Sequence, residues 1–239
     1  MELIFLGRGA GFNPDEGSTA AYFIDNGEMF LIDSGESTFH TILNGKILDS
    51  VSKLNIMITH THSDHVGSLG TLMLYAFAVK KMDVTVIIDG NMGYLPALRS
   101  LLEIYGLNDT MYRFADAADF SGKYSRFNTI RYVKTKHCDE LETCAIAFET
   151  DDGLVFYSGD INNLAPIIDI LKSGSPIDKI YVDTNNDRLP NPHHISIHGL
   201  NKIIPPELSP RIYCMHLQNS QCIGEAQSYG FQIVKLNGI

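Results

Sequence analysis

The chain has 239 residues, 44% of them hydrophobic, and a formal net charge of −10. That is enough apolar material for one sizeable core, so a single domain over residues 1–239 is the expected organisation. No basic run exceeds Lys80-Lys81, and gripping a phosphate backbone takes a stripe of cations, so the charge argues against a long nucleic-acid partner while small ligands, nucleotides included, stay open.

The chain opens with strand-like segments at Glu2–Leu6, Ala20–Asp25 and Met29–Asp33. Asn26-Gly27 between the last two is a strong signal for a tight hairpin. The first segment carries Glu2 and no basic start, which is unlike a secretion signal, and no apolar stretch reaches membrane-spanning length. A cytoplasmic location is expected. Gly7, Gly9 and Gly11 follow the first strand, but the spacing is not GxGxxG and no Gly-Lys-Ser/Thr follows, so they predict only a tight turn. A helix near Thr38–Leu48 precedes a short apolar strand, Asn55–Thr59.

Directly after that strand comes Thr59-His-Thr-His-Ser-Asp-His-Val-Gly-Ser68, which holds His60, His62, Asp64 and His65. So many metal-ligating side chains rarely gather in a polar loop without a ligand role. An extended turn aims His60 and His62 at one ion, and a following helix turns Asp64 and His65 toward a second.

Residues 68–80 read as a helix that is apolar nearly all round, destined either for a core sandwich or for a second subunit. Val84–Ile88 is a strand, and Leu95–Tyr105 a helix stopped by Gly106. Strands follow at Thr129–Lys136, Thr143–Glu149 and Leu154–Tyr157, then a helix near Leu164–Leu171 and a strand at Lys179–Val182. A helix near Ser196–Ile203 and strands at Arg211–Met215 and near Gln232–Lys235 complete the order, with no internal sequence repeat. Hairpins first and strand–helix alternation later suit two sheets with helices outside. Cys138, Cys144, Cys214 and Cys222 lack CxxC spacing and are expected to be reduced thiols, with Cys138 turned away from whatever His137 faces.

His137, Asp160 and His216 each sit where a predicted strand runs out. Singly, each is an ordinary turn residue. Joined to His60–His65 they complete what a two-metal hydrolytic site needs, several ligands per ion and a carboxylate between them.

Thr-His-Thr-His-Ser-Asp-His at 59–65, His137, Ser-Gly-Asp at 158–160 and His216 resemble the motif series of the metallo-β-lactamase fold over almost the whole chain. The resemblance implies an α/β architecture of four αββα layers, with two mixed sheets and helices outside. It implies two Zn2+ ions, with Mn2+ as an in vitro substitute. His60, His62 and His137 would hold one, Asp64, His65 and His216 the other, with Asp160 bridging. Asp33, in Leu31-Ile-Asp-Ser-Gly35, matches the family's early aspartate, which supports the histidine loop by hydrogen bonds. His62 stands where oxygen-reducing di-iron members carry a carboxylate, so a redox role is disfavoured and zinc favoured.

His194, in His193-His-Ile-Ser-Ile-His198, is similar to the extra loop histidine of the RNase Z branch, which lies near the scissile phosphate. That branch usually has Ser-Thr after it and this chain has Ile-Ser, so His193 and His198 stay open as alternatives. Asp64 and His194 are thus expected to be catalytic, and His194 and Ser196 to meet substrate. The long basic arm of tRNA-processing RNase Z proteins is missing. In size and general likeness the chain is similar to the compact phage-type anti-Pycsar phosphodiesterases, which degrade cyclic mononucleotides such as cCMP and cUMP. A small cyclic nucleotide is therefore the expected substrate, and a homodimer the expected assembly. A tRNA 3′ endonuclease, a lactonase and a nucleotide sponge that binds without cutting are the alternatives, the last disfavoured by the full ligand set.

Overall fold

The computed structural model describes residues 1–188 and 191–236. Strands β1 (Ile4–Gly7), β2 (Ala20–Asp25), β3 (Glu28–Ile32), β4 (Lys53–Met57), β5 (Asp83–Ile88) and β6 (Arg113–Asp116) form one sheet in sequential order. Strands β7 (Thr129–Thr135), β8 (Thr143–Thr150), β9 (Gly153–Tyr157), β10 (Ile177–Asp183), β11 (Ile212–Met215) and β12 (Gln232–Ile233) form the other, again in order. Each sheet begins antiparallel, in β1–β2–β3 and β7–β8–β9, and continues parallel. Both sheets are mixed, as expected. The Asn26-Gly27 hairpin takes positive φ at both residues, 53° and 76°, the requirement of a type I′ turn.

Aromatic side chains lock the sheets face to face. Phe5 stacks on Tyr157 at 6.3 Å, and Phe23 meets Phe148 edge-on at 5.5 Å. Helices α1 (Thr38–Asn44), α2 (Ser63–Val66), α3 (Leu69–Ala78) and α4 (Leu95–Ile104) belong to the first half of the chain. Helices α5 (Ala165–Ser173), α6 (Ile197–Ile203) and α7 (Gln221–Ser228) belong to the second, and Ile167, Leu200 and Cys222 from them pack on Phe156, Val182 and Cys214 in a separate apolar cluster. No helix among the described residues is long and apolar enough to cross a membrane.

Two elements escape the sequence pattern. β6 is an edge strand of composition Arg-Phe-Ala-Asp, held by pairing rather than by an apolar face. α7 carries Gly224 and few apolar residues, and only Cys222 and Ala226 are buried. The helix expected to reach Leu48 stops at Asn44, after which Lys46 takes φ 51° and a 3-10 turn follows. The apolar helix α3 is not sandwiched. It buries Leu69, Leu72, Met73 and Ala76, whereas Leu74 is 43% exposed and Val79, at its end, 61%.

Candidate metal centre

The ends of β4, β7, β9, β10 and β11 open onto one rim. β4 stops at Met57, two residues short of expectation, because Thr59 leaves the ladder. Its N–H donates to Asp33 Oδ1 and its hydroxyl to Asp33 Oδ2, both at 2.8 Å. Asp33 follows β3 with φ 63°, a left-handed conformation that aspartate tolerates better than most residues. Its carboxylate also accepts from His65 Nδ1 at 2.8 Å, which leaves His65 Nε2 pointing into the rim. Ser34 N–H donates to His65 O, and Ser68 Oγ to Gly35 O, so the segments 33–35 and 59–68 are stitched together. Gly35 is required there, since a Cβ would sit 1.9 Å from the Asp64 carbonyl oxygen.

The other ligand-type residues arrive from the second sheet. His137 Nδ1 donates to His193 O at 2.6 Å, which frees Nε2. Asn162 holds that crossing, its amide donating to both His137 O and Pro192 O. Gly159, at φ 57°, turns the chain so that Asp160 faces inward. His216 also takes a positive φ, 53°, directly after β11, an uncommon choice outside glycine that concentrates at functional sites.

These elements bring together every residue expected to hold metal. Ligand atoms of His60, His62 and His137 all lie within 4.8 Å of one another, as do those of Asp64, His65, Asp160 and His216. Asp160 divides itself between the groups. Its Oδ2 is 3.6 Å from His137 Nε2 and 3.9 Å from His60 Nε2. Its Oδ1 is 3.3 Å from His65 Nε2 and 3.4 Å from His216 Nε2. Asp64 Oδ2 stands 3.2 Å from His216 Nε2 and 3.5 Å from His65 Nε2. Zn–N bonds of about 2.0–2.1 Å put neighbouring tetrahedral ligands roughly 3.3 Å apart, close to these separations. His65 Nε2 and Asp160 Oδ1 are buried and lack hydrogen-bond partners, a cost of about 1–3 kcal/mol each that coordination removes. The residues present therefore fit a metal.

Electrostatics agree. Burial, reinforced by the charge of His65, pushes His60 well below the ordinary imidazole value, and burial lowers His137 too, so both rings are neutral at pH 7, the form that can bind a metal. Burial opposes ionisation of Asp64 and Asp160, but His216 and His65 overcome it and hold both carboxyls well below the usual range. Burial likewise works against a charged His216, yet Asp160 and Asp183 lift it to about 10. The carboxylates thus draw positive charge, and a cation competes with protons for the same place.

Asp183, at the end of β10, is the residue that sequence reasoning missed. It is fully buried, accepts from His194 Nδ1 at 2.7 Å and from Ile161 N–H at 3.1 Å, and stands 3.3 Å from His216 Nδ1. Its sequence signal is its place at the end of an apolar strand, in Tyr181-Val-Asp-Thr184, a stretch similar to one in the RNase Z branch.

A pocket of about 680 Å3 opens over the cluster, within the ~300–1,000 Å3 typical of small-molecule sites. His194 and His193 line it, as do Asn185 and Asn191. Ser196, expected at the substrate, is not part of that lining; its hydroxyl instead caps α6 by accepting from Gly199 N–H at 3.0 Å. Cys138 does line the pocket, contrary to expectation, because β7 ends at Thr135 and strand alternation no longer governs residues 137 and 138. His198 is occupied elsewhere, between Tyr229 and Glu225 of the α7 region.

Fold and site together define a metallo-β-lactamase-fold protein with a cluster of histidines and aspartates fit to hold metal. The chain belongs to the anti-Pycsar protein Apyc1 family, whose model matches residues 1–235. The anti-Pycsar protein Apyc1 of Bacillus phage 010DV004 is 28% identical over 185 residues, covering 67% of this chain and 68% of that protein. Ribonuclease Z of Listeria monocytogenes serotype 4a (strain HCC23) is 38% identical over 93 residues, 36% of this chain, and the match spans only 29% of the Listeria protein's length. Among solved structures, the metallo-β-lactamase fold protein YhfI of Bacillus subtilis superposes with a TM-score of 0.73 at 16% identity, covering 98% of this chain and 95% of that one. Human tRNase Z, short form (ELAC1), gives 0.66 at 16% identity, with 100% and 98% covered. Those structural likenesses concern the fold alone.

Proposed function

We propose that this protein is a dinuclear-zinc phosphodiesterase that opens small cyclic nucleotides, of the cCMP and cUMP kind and with cAMP and cGMP as further candidates, to linear nucleotides. In the cell this would defeat cyclic-nucleotide antiphage signalling in the cytoplasm, with residues 1–239 acting as one domain. The observation that carries the reading is the divided carboxylate of Asp160, one oxygen toward His60 and His137, the other toward His65 and His216. Membership of the anti-Pycsar family supports the substrate class.

His60, His62 and His137 would hold one ion, and Asp64, His65 and His216 the other, with Asp160 between. When bound, such a pair lowers the pKa of water to roughly 7 and neutralises phosphoryl oxygens. His194 handles the leaving group. Asp183 binds its Nδ1, so Nε2 is left for the pocket. Burial works against a charged His194, but Asp183 outweighs it and raises its pKa, which keeps a proton available. That Nε2 proton passes to the ribose oxygen as its bond to phosphorus breaks. His194→Ala is expected to lower kcat by about 10²–10⁴-fold while metal content stays at the wild-type level. Turnover at the wild-type rate would remove His194 from the mechanism.

The deciding experiment is a panel of cyclic mononucleotides, pre-tRNA, a lactone and bis(p-nitrophenyl) phosphate, each with Zn2+ or Mn2+ and with a chelator. Linear nucleotide as product supports the proposal. Cleaved RNA or an opened lactone assigns another hydrolase chemistry, and stoichiometric retention without product indicates a sponge. The acidic charge of −10 disfavours the RNA outcome. We further propose a homodimer, supported by the apolar side chains of Leu74, Val79 and Ile104, which are 43%, 61% and 79% exposed. Sedimentation at micromolar concentration should give the dimer mass, and monomer alone would remove the dimer.

A further inference from the structure

Of the large apolar side chains exposed among the described residues, Phe12 is the most exposed, at 104%, and it alone lines the pocket over the ligand cluster. A phenyl ring left in water at the lining of a pocket forgoes burial that a ligand seated there would restore. The loop that carries it is well anchored. Ala10 N–H and the Asn13 side-chain amide both donate to Leu217 O, the residue after His216, at 3.0 and 2.8 Å. Asn13 N–H donates to Ala10 O, and Gly9 N–H to Gly17 O. Gly11 lets this loop lie directly against the site: a Cβ there would stand 2.9 Å from Asp64 Oδ2. Successive Cα atoms are about 3.8 Å apart, so the Phe12 ring begins one residue's span from a carboxylate of the cluster.

A cyclic mononucleotide whose phosphate met His194 and the metal that Asp64 and Asp160 would hold would carry its ribose and base outward, toward the rim. We propose that Phe12 is the surface on which the base stacks, so that it selects for phosphodiesters that bear a planar base. This rests on the phosphodiesterase reading above. Every base has a π face, so the contact favours nucleotides over base-free sugar phosphates without choosing strongly among bases.

The test is titration calorimetry on the metal-loaded full chain with UMP, AMP and ribose 5-phosphate, comparing wild type with Phe12→Ala, Phe12→Leu and Phe12→Trp. The alanine variant should bind both nucleotides roughly ten- to a hundredfold more weakly, with ribose 5-phosphate changed by less than about twofold. Tryptophan should retain nucleotide binding, and leucine, apolar without a π face, should fall between. An equal loss for ribose 5-phosphate, or no loss for either nucleotide, overturns the proposal. So does a switch of Phe12→Ala from dimer to monomer in sedimentation, since the ring would then belong to a subunit contact. Cyclic-nucleotide turnover by the wild type is scored separately. Its absence, alongside nucleotide binding that still depends on Phe12, defeats the phosphodiesterase reading and leaves the stacking surface standing.

Discussion

Asp160→Ala should abolish turnover and lower the metal bound per chain, because it removes the carboxylate that, among the described residues, faces both ligand groups. Four imidazole nitrogens lie between 3.3 and 3.9 Å from its two oxygens. Without that carboxylate the two sets of histidines retain no shared anion, and His65 and His216 each lose one of the carboxylates that favour positive charge there. Asp160→Asn is the sharper variant. It preserves volume, removes the charge and exchanges one acceptor oxygen for an amide donor, and a melting temperature measured beside the assay separates any folding defect from the loss of metal. Elemental analysis beside the turnover assay checks both. Wild-type metal content together with full activity in Asp160→Asn would defeat the bridging role.

Asp33 should produce the second large effect, and through a different quantity. Asp33→Ala strips acceptors from Thr59 N–H, the Thr59 hydroxyl and His65 Nδ1, all buried, and places alanine at φ 63°. At about 1–3 kcal/mol for each buried group left unpaired, the loss should reach about 3 kcal/mol or more. For a chain of this length that lowers the melting temperature by roughly 6–12 °C. Asp33→Asn separates stability from metal binding. Asparagine accepts the left-handed conformation and still receives the Thr59 N–H. Its amide, however, sets a donor against the Nδ1–H that His65 carries when Nε2 ligates. Metal affinity is therefore expected to fall by about 10–100-fold with a far smaller change in melting temperature. Metal titration and thermal unfolding, run on both variants, distinguish the two effects. An Asp33→Asn protein that binds metal as tightly as wild type would show that the carboxylate does not orient His65.

Much of the site could be read along the chain, because its residues announce themselves locally. His60, His62, Asp64 and His65 are neighbours in sequence, and a strand end followed by a four-residue helix is enough to fan them out. His137, Asp160 and His216 each close an apolar strand whose register is set by its buried face, so one rim for all of them follows once the strands lie in their sheets. The near-identical order of the two sheets was less legible, since strand pairing leaves no repeat in the residues themselves.

Other features needed the chain folded in space. Asp183 is one more strand-end acid in sequence, and only the packing of β10 between β9 and β11 puts it under both His194 and His216. Ser196 belongs to the helix and not to the lining of the pocket because a hydroxyl at that backbone position satisfies the first turn of α6. Cys138 enters the pocket because its strand has already ended. Phe12 looks like one more apolar residue in a glycine-rich turn until Leu217, far along the chain, pins its loop beside Asp64. By itself, the sequence determined which metal-binding residue types the protein carries and that they fall at strand ends, since residue identity and strand-end placement are local properties of the chain. Only the tertiary structure decided which way each ligand atom points and what stands around it, because those depend on contacts between residues that the chain order keeps far apart.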